Sequence, residues 1–251
     1  MLLWALLAVL LSSCSEEVIT IDLKDAEPKI VIEGILTDQG EPCTVKISNS
    51  GDFYQPSEFP SVSGAAVTLL DSEGNQETLA ENEAGLYIGN SLTGVEGRTY
   101  TLTVEAEGKI YDAVSTLMKA VEIDSLTYYF EDDPEIYNED YEDMEEGYVF
   151  SCNFTDPEFV VQDRYYGNGE SIDYDFSNWY LFEKNDTMKV ELLSIDKAAY
   201  DYFSTLNGVL LSVNTGPVFS IIPDNPLTNF TGDALGYFAA YSVRSRTIVF
   251  E

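Results

Sequence analysis

The side chains that most often carry chemistry in proteins are unevenly represented in this chain. It has no His, and its 45 Asp and Glu residues outnumber 12 Lys and Arg, which gives a formal charge of −33. Without His the chain lacks the usual general base, the base of a Ser-His-Asp triad and the commonest zinc ligand. Carboxylates could still form a glycosidase pair, but their spacing singles out no two residues. We therefore expect no catalytic residues, no metal and no cofactor.

Cys14 follows a leader with the pattern of a lipidation signal. Residues 1–11 form an apolar run that suits a signal-peptide core and is too short to span a bilayer. The sequence Leu11-Ser12-Ser13-Cys14 resembles a lipobox, with small residues before a thiol that could take diacylglycerol. We interpret 1–13 as a signal peptide and 14–28 as the lipidated Cys with a polar tether. The alternative is an ordinary secretory signal with an incidental Cys.

The other two thiols are predicted to be buried. Cys43 alternates with Val45 and Ile47, and Cys152 alternates with aromatic residues, so each should lie on the buried face of a strand. Two separate core thiols are favoured over a disulfide, although an exported protein could form one.

A strongly acidic run spans residues 131–146, in which ten of sixteen residues are Asp or Glu. Charge repulsion keeps such a run extended and solvated, so it is interpreted as an acidic loop. The alternative, a Ca²⁺ site, lacks the alternating ligands and central Gly of an EF-hand.

Aromatic residues supply the candidate contact surface. Of the 32 Phe, Tyr and Trp residues, 25 lie beyond position 119. Interfaces favour these side chains, and four of them lie near Gly- and Asn-containing turns. These four, predicted to contact a ligand or partner, are Tyr165, Tyr166, Tyr174 and Trp179.

The elements that would position these residues are mainly strands. Short β-branched and aromatic runs separated by Gly-containing turns predict about seven strands in a β-sandwich domain over 29–118. A second, aromatic-rich β domain is predicted over 119–251, with strands that include Ser125–Phe130 and Ala239–Phe250. One amphipathic helix is expected near 195–207, with Ser194 as its cap, Asp196 complementing its dipole and Asn207-Gly208 as a stop or kink. The fold class is therefore all-β with one helix.

Two resemblances add to this interpretation. The stretch Val62–Leu69, with its following Gly-initiated strands, resembles transthyretin-like, carboxypeptidase-regulatory-like sandwiches, which bind or act as spacers. The leader ending in Cys14, Val31–Gly34, Cys152–Pro157 and Asn225–Ser242 together resemble Bacteroidota lipoproteins of unknown function, whose genes often lie beside those of TonB-dependent receptors. The resemblance implies a lipid-anchored outer-membrane protein, on the cell surface or the periplasmic face, and brings no catalytic residues with it.

Three functions remain open at this point. The leading one is a binding or accessory subunit that associates with a TonB-dependent receptor in nutrient uptake. The second is a structural or adhesive surface lipoprotein, and the third is a glycan-active enzyme that uses carboxylates. The acidic charge argues against nucleic acid as a partner, because the negatively charged chain and the phosphate backbone would repel each other. The predicted partners are the lipid bilayer, through acylated Cys14, and the receptor.

Overall fold

Strands dominate the computed structural model, which describes residues 28–51, 59–128, 185–214 and 225–251. The strands form where buried residues alternate with less buried ones, as in β1, in which every second residue is buried and those between are partly buried. The nine strands of the described residues are β1 (Ile30–Thr37), β2 (Thr44–Asn49), β3 (Ala66–Asp71), β4 (Gln76–Glu83), β5 (Leu86–Ile88), β6 (Thr99–Ala106), β7 (Lys109–Thr116), β8 (Thr187–Ser194) and β9 (Leu235–Val249).

The strands join in one mixed sheet of order β7-β6-β3-β4-β5-β2-β1-β9-β8. Neighbouring strands are antiparallel except β1 and β9, which pair in parallel from Val31 opposite Leu235 to Thr37 opposite Tyr241. This one parallel pairing inserts the C-terminal strand between two distant segments of the chain.

The sheet folds back on itself to enclose the core. A Cβ added at Gly34 of β1 would lie 2.9 Å from Leu102 of β6, although these strands are not neighbours in the sheet. The backbone N–H of Ala240 in β9 likewise donates to Ser115 Oγ in β7 at 2.9 Å. The two halves of the sheet therefore pack face to face, and the predicted all-β class with one helix is confirmed.

Two strands and one loop differ from the sequence-based prediction. Strands β4 and β8 were not predicted, because β4 buries only Leu79 fully and β8 buries no residue fully. The predicted strand Ser125–Phe130 is wrong over 125–128, which is not in a strand. β-Branched and aromatic composition alone does not provide the neighbouring strand that a sheet requires.

The helix α1 spans Lys197–Asn214 and so extends past the predicted end at 207. Gly208 lies within it and does not stop it, since one Gly costs a helix only about 1 kcal/mol relative to Ala. Within the described ranges, no helix has both the length and the apolarity needed to cross a membrane.

The predicted domain boundary at residue 118 stays a prediction. The described parts of 119–251 contribute to the same core as the first seven strands, since Phe230, Phe238 and Ala240 are buried in one cluster with Ile32 and Leu102.

Candidate functional site

The residues predicted to carry function from the sequence lie outside the described residues. These are the lipidation candidate Cys14 and the four contact candidates Tyr165, Tyr166, Tyr174 and Trp179. The acidic run 131–146 and Cys152 also lie there. Their predicted roles stay predictions.

Cys43 lies immediately before β2 and is fully buried, as expected for a core thiol. Burial, with a smaller contribution from the charge of Glu77, raises the pKa of this thiol to about 12. A thiol that stays protonated at neutral pH is a poor nucleophile and a poor metal ligand.

The two ends of segment 129–184 meet at the C-terminus of the chain. The Tyr128 ring packs on Phe250 with centroids 4.9 Å apart, and its hydroxyl accepts a hydrogen bond from the backbone N–H of Glu251 at 2.8 Å. On the other side, the backbone N–H of Asn185 donates to the carbonyl oxygen of Phe250 at 2.7 Å. The segment that holds the four predicted contact residues therefore leaves and rejoins the fold at one place.

The attachment point of segment 129–184 lies far from the point where the N-terminal segment enters the fold. From Lys29 to Asp38 the extended chain covers about 30 Å at roughly 3.3 Å per residue. Strand β9 runs parallel to β1 and continues past it, pairing with β8 as far as Val249. Segment 129–184 is thus attached at the end of the sheet opposite the predicted tether.

Asp196 anchors α1 and directs it onto the sheet. Its carboxylate accepts a hydrogen bond from the backbone N–H of Ala199 at 2.9 Å, so Asp196 and not the predicted Ser194 is the N-cap. The same carboxylate accepts hydrogen bonds from Ser115 Oγ and the backbone N–H of Thr116 on β7. Fully buried Ala199 lets the helix approach the sheet closely.

Three aromatic rings join α1 to β9. The Tyr202 and Tyr237 ring centroids are 4.5 Å apart, and the Phe203 ring stands edge-on to Tyr237 at 5.0 Å. Such pairs contribute about 0.5–1.5 kcal/mol beyond the area they bury. The predicted packing of the helix face on a sheet is confirmed.

The phenol of Tyr237 is the centre of this candidate site. Glu33 is its register partner on β1, and Lys46 on β2 lies beside Glu33, with Nζ 3.8 Å from the carboxylate. Burial raises the pKa of Tyr237 above its usual range, and nearby Tyr241, Glu33 and Tyr202 raise it further. Burial and the charge of Glu33 also raise the pKa of Tyr202. We call these residues, Glu33, Lys46, Tyr202, Tyr237 and Tyr241, the phenol cluster.

The sequence showed parts of the phenol cluster but not its assembly. Tyr202 and Phe203 were predicted on the apolar helix face, while the stretch containing Tyr237 and Tyr241 was interpreted only as a core strand. Close packing at its Gly and Ala positions is confirmed, because Ala239 and Ala240 are fully buried. One sequence pattern could have indicated the site. Side chains alternate between the two faces of a strand, so Tyr237 and Tyr241 lie on the face opposite buried Phe238 and Ala240.

A second cluster of charges surrounds Arg244 on β9. Its guanidinium donates to Asp38 at 2.6 Å, to Glu122 at 2.8 Å and to Glu96 at 3.1 Å. These carboxylates come from three different loops, so one cation ties three loops to the C-terminal strand. Its hydrogen bonds with Asp38 and Glu122 raise the pKa of Arg244 further above its usual range.

Other carboxylates hold turns together. Glu77 accepts hydrogen bonds from the backbone N–H groups of Asn90, Ser91 and Leu92. In the part of the chain that the structure describes, no group of three or more Cys, Asp or Glu side chains could hold a metal ion.

One comparison with known proteins gives a match. A family described as "Domain of unknown function (DUF4249)" matches residues 16–247, nearly the whole chain. No curated protein and no solved structure matches. By this match, the chain belongs to the DUF4249 family.

Proposed function

We propose that this chain is a lipid-anchored cell-envelope protein that acts as a binding or accessory subunit. In this proposal, acylated Cys14 holds it on the outer membrane, and its partner is a TonB-dependent receptor that imports nutrients. It performs no chemistry of its own.

The position of the leader supports the anchoring part of the proposal. The family match begins at Glu16, two residues after Cys14, and β1 begins at Ile30. Residues 15–29 therefore separate the predicted lipid from the first strand and can act as a spacer. The resemblance to Bacteroidota lipoproteins supports the outer membrane as the location and the receptor as the partner.

The phenol cluster carries the binding part of the proposal. It places Tyr side chains, which are enriched at interfaces, beside one exposed carboxylate and one exposed ammonium group. Segment 129–184, which is rich in Tyr, is attached at the end of the sheet opposite the tether. A protein held through its N-terminus would present that end to a partner.

Copurification tests the proposed partner. A C-terminally tagged full chain, extracted from outer membranes in mild detergent, should bring down one TonB-dependent receptor in stoichiometric amount. The untagged strain provides the control. Recovery of the tagged chain alone, repeated after crosslinking, would contradict the proposal and favour a free-standing surface protein.

A further inference from the structure

The first and last strands of the described chain are neighbours in the interior of the sheet. Strand β1 lies between β2 and β9, and β9 lies between β1 and β8, so neither is an edge strand. The two pair in parallel over seven residue pairs, from Val31 opposite Leu235 to Thr37 opposite Tyr241. Because they are parallel, the chain enters β1 at one end of this pair and leaves β9 at the other end.

A pull on these two ends acts along the strands. It would slide β1 past β9 and load the hydrogen bonds between them together, because those bonds run across the direction of sliding. To leave the sheet in this direction, β1 must also slide past β2, to which it is joined by six residue pairs. Strand β9 must slide past β8, to which it is joined by eight. The sheet therefore resists this direction of pull with many hydrogen bonds at once.

Contacts beyond the ladder fasten both ends of β1. Before its start, the backbone N–H of Lys29 donates to Ser50 Oγ at 3.0 Å, and the backbone N–H of Ser50 donates to the carbonyl oxygen of Lys29 at 2.8 Å. After its end, the Asp38 carboxylate accepts hydrogen bonds from the backbone N–H of Val243 at 2.9 Å and from the Arg244 guanidinium at 2.6 Å. The attachment of this part of the chain to β9 thus continues past the last register pair.

We propose that β1 and β9 form a mechanical clamp that keeps the fold intact under tension. The tension runs from the N-terminal tether to a partner at the far end of β9, so its direction rests on the proposed function. The resistance rests on the strand geometry alone. An antiparallel pairing of the first and last strands would bring the two pulled ends together, and its residue pairs would open one after another.

Single-molecule force spectroscopy on the full chain tests the clamp by changing the direction of pull. Handles attached at Pro28 and Glu251, which lie before β1 and after β9, slide the two strands past each other. Handles at Pro28 and Asp233 pull apart the starting ends of the same two strands and open the pair from one end. At the same loading rate, the sliding direction should need a force about twofold or more higher, because several hydrogen bonds must break in one event.

A second opening direction provides a further control. Handles at Pro28 and Gly51 pull β1 away from β2 at the end where Ile30 pairs with Asn49. The force at which a protein unfolds follows its unfolding rate and not its equilibrium stability, so the same fold should give different forces in different directions. A sliding force that fails to exceed both opening forces would overturn the proposal. That result would not bear on copurification with a receptor, which tests the partner and not the strands.

Discussion

Substitution of Gly236 by Ala should strongly destabilise the fold, because two costs add at this position. Gly236 lies on β9 with φ at +92°, in the left-handed region that costs a residue with a Cβ about 1–2 kcal/mol. A Cβ there would also overlap the carbonyl oxygen of Ile32 and lie 2.8 Å from its carbonyl carbon. Both atoms are backbone of the paired strand β1, so no side-chain rotation relieves the clash. Overpacking of this kind adds about 1–3 kcal/mol.

Gly74→Ala provides the matched control. Gly74 has nearly the same φ, +89°, but a Cβ there meets nothing within 4 Å. We expect Gly236→Ala to lower the free energy of unfolding by about 2–5 kcal/mol and Gly74→Ala by about 1–2 kcal/mol. Urea denaturation followed by circular dichroism measures both values. Equal losses would refute the close approach of β9 to β1, and with it the parallel pairing that builds the phenol cluster.

Two further predictions concern the helix and acid stability. Asp196→Ala should lower the free energy of unfolding by about 1–3 kcal/mol, because it removes the helix cap and the acceptor for Ser115 and Thr116; Asp201→Ala, one turn into the helix, is the control and should cost less than half as much. Burial opposes the ionisation of Asp38 and Glu77, but hydrogen bonds outweigh it and lower both pKa values below 3.8 and 4.5. Their stabilising effect is therefore complete above these pH values and is lost as the pH falls below them. The urea concentration at the unfolding midpoint should decrease when the pH falls below about 4, and it should decrease less steeply in Asp38→Asn. A midpoint that does not change with pH in this acidic range would contradict the prediction.

Local pattern predicts most strands of this fold, and it fails where burial is incomplete. Strands β1, β6 and β7 alternate buried residues with less buried ones next to Gly-containing turns, so their sequence is sufficient to locate them. Strand β4 fully buries only Leu79 along eight residues, so it has no comparable alternation. The end of α1 was misplaced because Gly208 lowers helix propensity by an amount that the rest of the helix tolerates.

The candidate site depends on contacts between residues that are distant in the sequence. Glu33 and Tyr237 are neighbours because β9 pairs in parallel with β1, about two hundred residues earlier in the chain. Tyr202 reaches Tyr237 because Asp196 joins the start of α1 to β7. Neither arrangement has a short motif, so composition could indicate an aromatic contact surface but not which rings form it.

The measurement that tests the central claim most directly is membrane fractionation of Cys14→Ala beside Ser13→Ala. The claim is that a lipid on Cys14 holds a binding protein at the membrane. We predict that Cys14→Ala leaves the detergent-requiring membrane fraction or accumulates unprocessed, while Ser13→Ala, which keeps a small residue before the thiol, stays in that fraction. Mass spectrometry of the retained protein should show an acylated N-terminal Cys. Unchanged membrane retention of Cys14→Ala would contradict the claim.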